Sequence, residues 1–196
     1  MSTSLFVSCF VLAGSIFSSH EASVKRPPYN ATEAFLTNGT YCMKYRDYTN
    51  DKLFGNYSCV ERWGGGDKRK EDPIKIKYML RNDSRDPSKR GDVIVGFYTN
   101  ETNTFFYSTK ESRTRQKRKL IYMNVLEECQ VTKTYNTANG SGEFSGCTLW
   151  MGYHTVDKDP PTRCKKAYDK CGGQTKLEYH KSCKRVYSWQ QRGSSK

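Results

Sequence analysis

The residues with chemistry to offer are thiols, hydroxyl-flanked asparagines, aromatic rings and a surplus of cations. Eight cysteines are present: Cys9, Cys42, Cys59, Cys129, Cys147, Cys164, Cys171 and Cys183. Thiols in such numbers could serve as nucleophiles, metal ligands or disulfides, and the other residues decide among these. After the first two dozen residues the histidines are His154 and His180, and neither sits in a His-Glu-x-x-His helix. No Gly-x-Ser-x-Gly turn occurs to carry a serine nucleophile. Gly64-Gly65-Gly66 is followed by Asp67-Lys68-Arg69-Lys70, without the Gly-Lys-Ser/Thr of a phosphate cradle. Catalysis is therefore not expected, nor is a cofactor or a metal ion.

Compartment is read from the N-terminus and the sequons. Leu5 to Phe17 is an apolar run too short to cross a bilayer, followed by small and polar residues through Ser23. Residues 1–23 read as a secretory signal peptide, cleaved between Ser18 and Ser23, and no other stretch reads as a membrane anchor. Cys9 leaves with it, and seven cysteines remain for an oxidising compartment, as a disulfide framework with one thiol over. Asn-x-Ser/Thr triplets at Asn30, Asn38, Asn56, Asn82, Asn100 and Asn139 agree with export and mark surface positions. The net charge is +13. In a secreted monomer that charge does not point to nucleic acid. It points to acidic protein surfaces, sulfated glycans or an anionic small ligand, or serves solubility alone.

The elements that must position these residues follow from alternation and turn signals. Thr40–Tyr48, Asn56–Trp63, Ile74–Leu80, Asp92–Tyr98, Thr104–Thr109, Lys119–Leu126, Gln130–Tyr135 and Cys147–Tyr153 read as eight short strands. Ala31–Leu36 is a short helical stretch before them. Asp159, followed by Pro160 and Pro161, signals a helix start, and Cys164, Ala167, Tyr168 and Cys171 then share one helical face. Strands in succession with one helix last indicate a mainly β fold, an eight-stranded antiparallel barrel with a C-terminal α-helix stapled to its outside. One domain spans 24–183, and 184–196 is a polar tail.

Several of these segments resemble a known family. Asn38-Gly39-Thr40-Tyr41, Tyr45-Arg46, Tyr48, Asn50-Asp51, Phe54-Gly55 and Cys59-Val60 look like the first hairpin of tick salivary lipocalins, the histamine-binding-protein family. Cys129-x-Val131, Cys147-x-Leu149-Trp150, Cys164, Tyr168, Cys171-Gly172 and Tyr179 to Cys183 look like its C-terminal half. The resemblance implies a secreted salivary lipocalin that evades host defence by sequestering a small mediator such as histamine, serotonin or an eicosanoid. Some family members bind cholesterol or complement proteins instead. It further implies disulfides Cys59–Cys183 and Cys129–Cys164, and Cys147 with Cys171 is read as a third pair. Cys42 stands alone, as a buried thiol or as a handle for intermolecular pairing.

An eight-stranded barrel can hold one small ligand. If Trp150 points inward, Thr148 does so too, and Tyr41, Tyr45, Phe97, Phe106 and Tyr122 are the other expected wall residues. On Lys119–Leu126, strict alternation would put Leu120, Tyr122 and Asn124 on one face and Ile121 and Met123 on the other. The family's amine motif has an acid after the first cysteine of the C-terminal half and another before Leu-Trp. This chain has Gln130 and Thr148 there, so both charges are missing. Asp47, Glu61 and Glu101 are the acids left for a second amine site. Weak amine binding is expected, strengthened by restoring both acids. The cationic surplus tilts the ligand towards a lipid mediator, such as a leukotriene or fatty acid, with its carboxylate on Arg46 or Arg62. The run Arg113 to Lys119 reads as a solvated loop for a glycan or protein. The alternative class is a host-protein binder, of a complement component or chemokine, using the barrel only as scaffold.

Overall fold

The computed structural model describes residues 29–36, 39–49, 51–63, 74–82, 88–109, 115–135 and 144–184. The signal segment, Asn38, Asn139, the glycine run and the polar tail lie outside the described residues. A short helix α1 (Ala31–Leu36) precedes the strands β1 (Tyr41–Arg46), β2 (Glu61–Trp63), β3 (Ile74–Leu80) and β4 (Lys89–Tyr98). Strands β5 (Glu101–Ser108), β6 (Gln116–Asn124), β7 (Cys129–Tyr135) and β8 (Phe144–Gly152) follow, then α2 (Thr162–Asp169), β9 (Lys176–Leu177) and α3 (Lys181–Lys184).

Neighbouring strands pair antiparallel from β2 to β8, and β8 pairs with β1. The circle closes where Tyr41 lies opposite Arg62 and Cys42 opposite Glu61. The eight strands thus form the expected closed barrel, and closure leaves no long unpaired edge. The rest of that edge of β1 is covered by β9, through Tyr45–Leu177 and Arg46–Lys176.

Apolar and polar residues sort to the two faces by the pleat. Ile74, Ile76, Val93, Val95, Phe105, Tyr107, Leu120 and Trp150 are buried on the inside. Leu149 and Met151 are buried on the outside, under α2 and the C-terminal segment. α1 lies over β5 and β6 at one end of the barrel and inserts Phe35. That ring packs edge-on against Phe105 (4.9 Å) and Tyr107 (6.0 Å).

The C-terminal helix begins later than its proline signal suggests. Pro161 takes an extended conformation (φ −52°, ψ 140°) ahead of Thr162 and supplies no side-chain cap. A residue before proline is pushed out of helical space, so Asp159 and Pro160 stay outside the helix. The helix ends at Asp169, and Cys171 lies just past it, its N–H donating to Tyr168 O at 3.0 Å.

Disulfides join Cys59–Cys183, Cys129–Cys164 and Cys147–Cys171, the three pairs expected, and Cys42 is a buried free thiol. Two of them rivet the α2 region to β7 and β8. The sequons Asn30, Asn56, Asn82 and Asn100 are exposed. Among the described residues no helix is long and apolar enough to cross a membrane.

The Cys129–Cys164 bridge spans 35 residues of chain. Replacing both cysteines by alanine should lower stability by about 3–4 kcal/mol on a chain-entropy argument, read as a lower urea midpoint.

Candidate functional site

Two arginines enter the barrel, and they are served differently. Arg118 is fully buried on β6, with Asp51 Oδ2 2.5 Å from its Nη2 and Gln116 Oε1 at 2.9 Å. The expectation that Arg113 to Lys119 is one solvated loop is therefore corrected. Gln116 to Lys119 belongs to β6, where alternation turns Gln116 and Arg118 inward and leaves Lys117 and Lys119 on the outer face. Asp51 belongs to the β1–β2 connection, which folds across one end of the barrel. Its Oδ1 accepts the N–H groups of Leu53 (2.8 Å) and Phe54 (2.9 Å), and Gly55 closes the turn in left-handed space at φ +57°. Arg46 holds the same loop by donating to Gly55 O at 2.8 Å, while its Nε binds Glu178 at 2.7 Å.

Tyr48 completes this polar end. Its hydroxyl lies 2.7 Å from Asp51 Oδ2 and 2.9 Å from Thr148 Oγ1. Burial, with Asp51 beside it, pushes that phenol up to about 12. Burial alone would raise the Asp51 carboxyl. The Arg118 guanidinium, the Phe54 and Leu53 N–H groups and the Tyr48 hydroxyl outweigh it and hold Asp51 below its ordinary 3.8.

Arg62 has no carboxylate partner among the described residues. It donates Nη1 to Tyr107 Oη (3.0 Å) and Nη2 to Gln130 Oε1, and its buried Nε has no hydrogen-bond partner. Rings surround it: Phe35 at 4.5 Å, Trp150 at 4.8 Å and Tyr41 at 5.3 Å from the guanidinium carbon. Gln130 also donates Nε2 to Ala34 O at 3.2 Å, tying Arg62 to α1.

Of the expected wall residues, Trp150, Thr148, Gln130, Tyr41 and Phe97 lie on the inner side. Phe97 packs 6.2 Å from Phe35. Three others are corrected to the outer face. Bulges shift Tyr45 and Tyr122: the register slips between Met43 and Tyr45 and between Leu120 and Tyr122, and an extra residue flips all that follow. Tyr45 therefore meets Tyr168 of α2 at 5.9 Å, and Tyr122 meets Tyr29 at 5.8 Å. Met123 takes the inner place opposite Gln130. Phe106 lies outside because Phe105 and Tyr107 point in. It covers Gly96, where a Cβ would collide with its ring, and stacks with Arg115 at 4.5 Å.

The acids reserved for a second amine site are not interior either. Glu61 is buried on the outer face, 3.4 Å from Arg81, and Glu101 sits on the exposed β4–β5 hairpin with Lys117 at 3.2 Å. Asp47 accepts the Cys147 N–H at the barrel's edge. Among the described residues, the acid that reaches the interior is Asp51, which the sequence shows only as a turn residue.

A cavity of about 570 Å³ opens at the loop-covered end, reaching Tyr78, Tyr107 and Gln116, with Lys52, Lys89 and Arg90 at its rim. Phe54 is fully buried and edge-on to Tyr78, Tyr107 and Trp150, so it stands between this cavity and the deeper rings. Potential metal-ligand atoms gather at Cys59, His180 and Cys183 and at Asp47, Cys147 and Cys171. The sulfurs of both groups are in disulfides, and a disulfide sulfur is not a thiolate ligand.

A family model described as tick histamine binding protein matches residues 20–185. No curated protein matches the chain. Among solved structures, lobster apocrustacyanin A1 is similar with a TM-score of 0.51 at 10% identity, covering 76% of this chain and 79% of that one. At that identity the likeness concerns the fold alone, a lipocalin-type barrel.

Asp51→Asn would leave Arg118 buried without its anion, at a cost of about 3–5 kcal/mol in denaturant unfolding. The folded carboxyl titrates below the unfolded one, so its contribution is complete above about pH 5 and fades as pH falls through the unfolded and then the depressed folded value. The variant should therefore lose less stability than the parent between about pH 5 and 2, measured as urea midpoint against pH.

Proposed function

The chain belongs to the tick histamine binding protein family, and from that premise we propose that it captures a small anionic mediator in its barrel. The family and the lipocalin-type fold are ligand-binding rather than enzymatic, so the mode of action is stoichiometric sequestration without turnover. Members of the family are secreted, and three disulfides fit an extracellular protein. The remaining step, from ligand binding to ligand class, is our reading.

One observation carries it: Arg62 stands inside the barrel without a carboxylate among the described residues, its Nε unpaired and its flanks covered by rings. A buried cation in this state is stabilised by an incoming anion, because a charge-assisted bond in a dry site is stronger than a neutral one. An ammonium would meet like charge instead. The two motif positions cannot help it, since the Gln130 carbonyl already faces Arg62 and Thr148 is bonded to Tyr48. The favoured ligand is a carboxylate with an apolar body, of the fatty-acid or leukotriene kind. Its head would reach Arg62, and its tail would lie along Tyr107 and Tyr78 in the cavity at the loop-covered end after Phe54 swings aside. Lys52, Lys89 and Arg90 at the rim would steer anions in, which makes capture faster at low ionic strength.

Titration calorimetry on secreted protein should find a long-chain polyunsaturated carboxylate binding more tightly than histamine. Arg62→Met should weaken the carboxylate by about tenfold or more. Equal affinity of parent and variant would overturn the assignment. If no small anion binds at all, the scaffold reading, with a host protein as partner, takes its place.

The amine motif offers a second test, in which the structure alters the expectation from sequence. An acid at position 130 would pair with Arg62 and lose the bond to Ala34 O. Gln130→Asp with Thr148→Glu should therefore gain little histamine affinity. The gain should come only when Arg62→Leu is added, read by calorimetry on the parent and on the double and triple variants.

A further inference from the structure

A second cavity, of about 480 Å³, lies outside the barrel between α2 and the β6–β7 wall. Its floor is made by Tyr29, Ile121 and Tyr122, with Ala167 of α2 facing them. The register slip after Leu120 puts Tyr122 here, and Tyr29 meets it edge-on. Both rings are nine-tenths or more buried, so the floor is fixed rather than a loose surface.

Its rim is cationic: Lys133, Arg163, Lys166 and Lys170. None of these four forms an ion pair with a described acid. The one acid at the end of α2, Asp169, is taken by Lys165, and Glu127 is held by the Asn124 amide at 2.6 Å. The buried Tyr122 hydroxyl makes no hydrogen bond of ordinary geometry among the described residues, and its neighbour Asn124 already accepts the N–H groups of Leu126 and Glu127 at Oδ1. A buried hydroxyl left unmet is costly, and it marks a place where a ligand acceptor would be welcome.

We infer that this outer cavity is a second ligand site, for a small organic anion with a flat apolar body. The body would lie on Tyr29, Ile121 and Tyr122, while a sulfonate, sulfate or carboxylate would accept from the Tyr122 hydroxyl and sit within the cationic rim. The volume is in the range of ordinary small-molecule pockets. The site uses none of the interior residues, so it stands or falls separately from the Arg62 assignment.

The test uses the full secreted chain and 8-anilinonaphthalene-1-sulfonate, followed by fluorescence and calorimetry. Arg163 and Lys166 are exposed on α2, so reversing them should leave stability within about 0.5 kcal/mol. Arg163→Glu with Lys166→Glu should weaken the dye by about tenfold or more, and Ala167→Trp should block it by filling the cavity. Carboxylate binding that depends on Arg62 should be unchanged in both variants. Inorganic sulfate at equal concentration should compete poorly, because it lacks the apolar body. The inference is overturned if the charge-reversed protein binds the dye as the parent does. It is overturned equally if Arg62→Met alone removes the dye, or if sulfate competes as well as an aryl sulfonate. Dye binding that needs Arg163 and Lys166 while fatty acids bind nowhere would uphold this site and sink the interior one.

Discussion

A guanidinium inside a closed barrel has to meet an anion or a ring face, and Arg118 meets both. Asp51 lies at 2.5 Å, and the rings of Tyr107 and Phe54 lie at 4.9 and 5.4 Å. Because Asp51 sits in the β1–β2 connection, this one pair fixes a loop as well as a charge. The loop in turn delivers Phe54 to the rings of Tyr78, Tyr107 and Trp150. Arg46, from the other side, binds the same loop at Gly55 O and the C-terminal segment at Glu178. The covered end of the barrel is thus held by two buried arginines, each with its own acid.

Arg62 breaks that pattern, and the proposed binding chemistry rests on the break. It is only 4% exposed, and it makes only neutral hydrogen bonds and ring contacts. Breaking a buried pair usually costs several kcal/mol, so a buried cation without an acid needs other compensation. Three aromatic faces and two neutral oxygens supply it here. The side chain is held in place, yet a carboxylate would still improve its surroundings. That is the condition under which a ligand's charge contributes to affinity instead of replacing a bond already made.

Strand order, the closed barrel and the short first helix were readable because alternation and turn residues are local signals. Two of the cysteine pairs follow from a family resemblance, Cys147 with Cys171 is read beside them as a third, and three bonds of that connectivity are formed. What local pattern could not carry was register. Tyr45 and Tyr122 are expected among the aromatics that line the interior, and a single extra residue in β1 and in β6 turns both outward. Such bulges leave no mark in residue type here. Arg118 was hidden differently: a basic run reads as solvated loop, and only the partner strand shows that every second residue turns inward. Asp51 looked like a turn residue and is one, yet its second oxygen serves the barrel. Arg46 and Arg62 were indistinguishable until the loop claimed the first.

The misplacement of Tyr122 has a physical consequence beyond bookkeeping of faces. A bulge that moves an aromatic side chain from the inside to the outside empties one wall position and fills another. On the inside, Met123 takes over beside Gln130, a flexible side chain that adapts to whatever shares its space. On the outside, Tyr122 becomes a floor for α2, whose cations find no acid there. A chain with net charge +13 could spread its cations evenly for solubility. Instead, two cavities present cations beside aromatic rings, at the rim above Tyr78 and Tyr107 and in the α2 groove over Tyr29 and Tyr122, and Arg62 lies packed among Phe35, Tyr41 and Trp150. Solubility does not require rings under the charges. The proposed binding of amphipathic anions does, because the ring face removes apolar surface from water while the cation holds the head, and neither alone distinguishes such a ligand from salt or from oil.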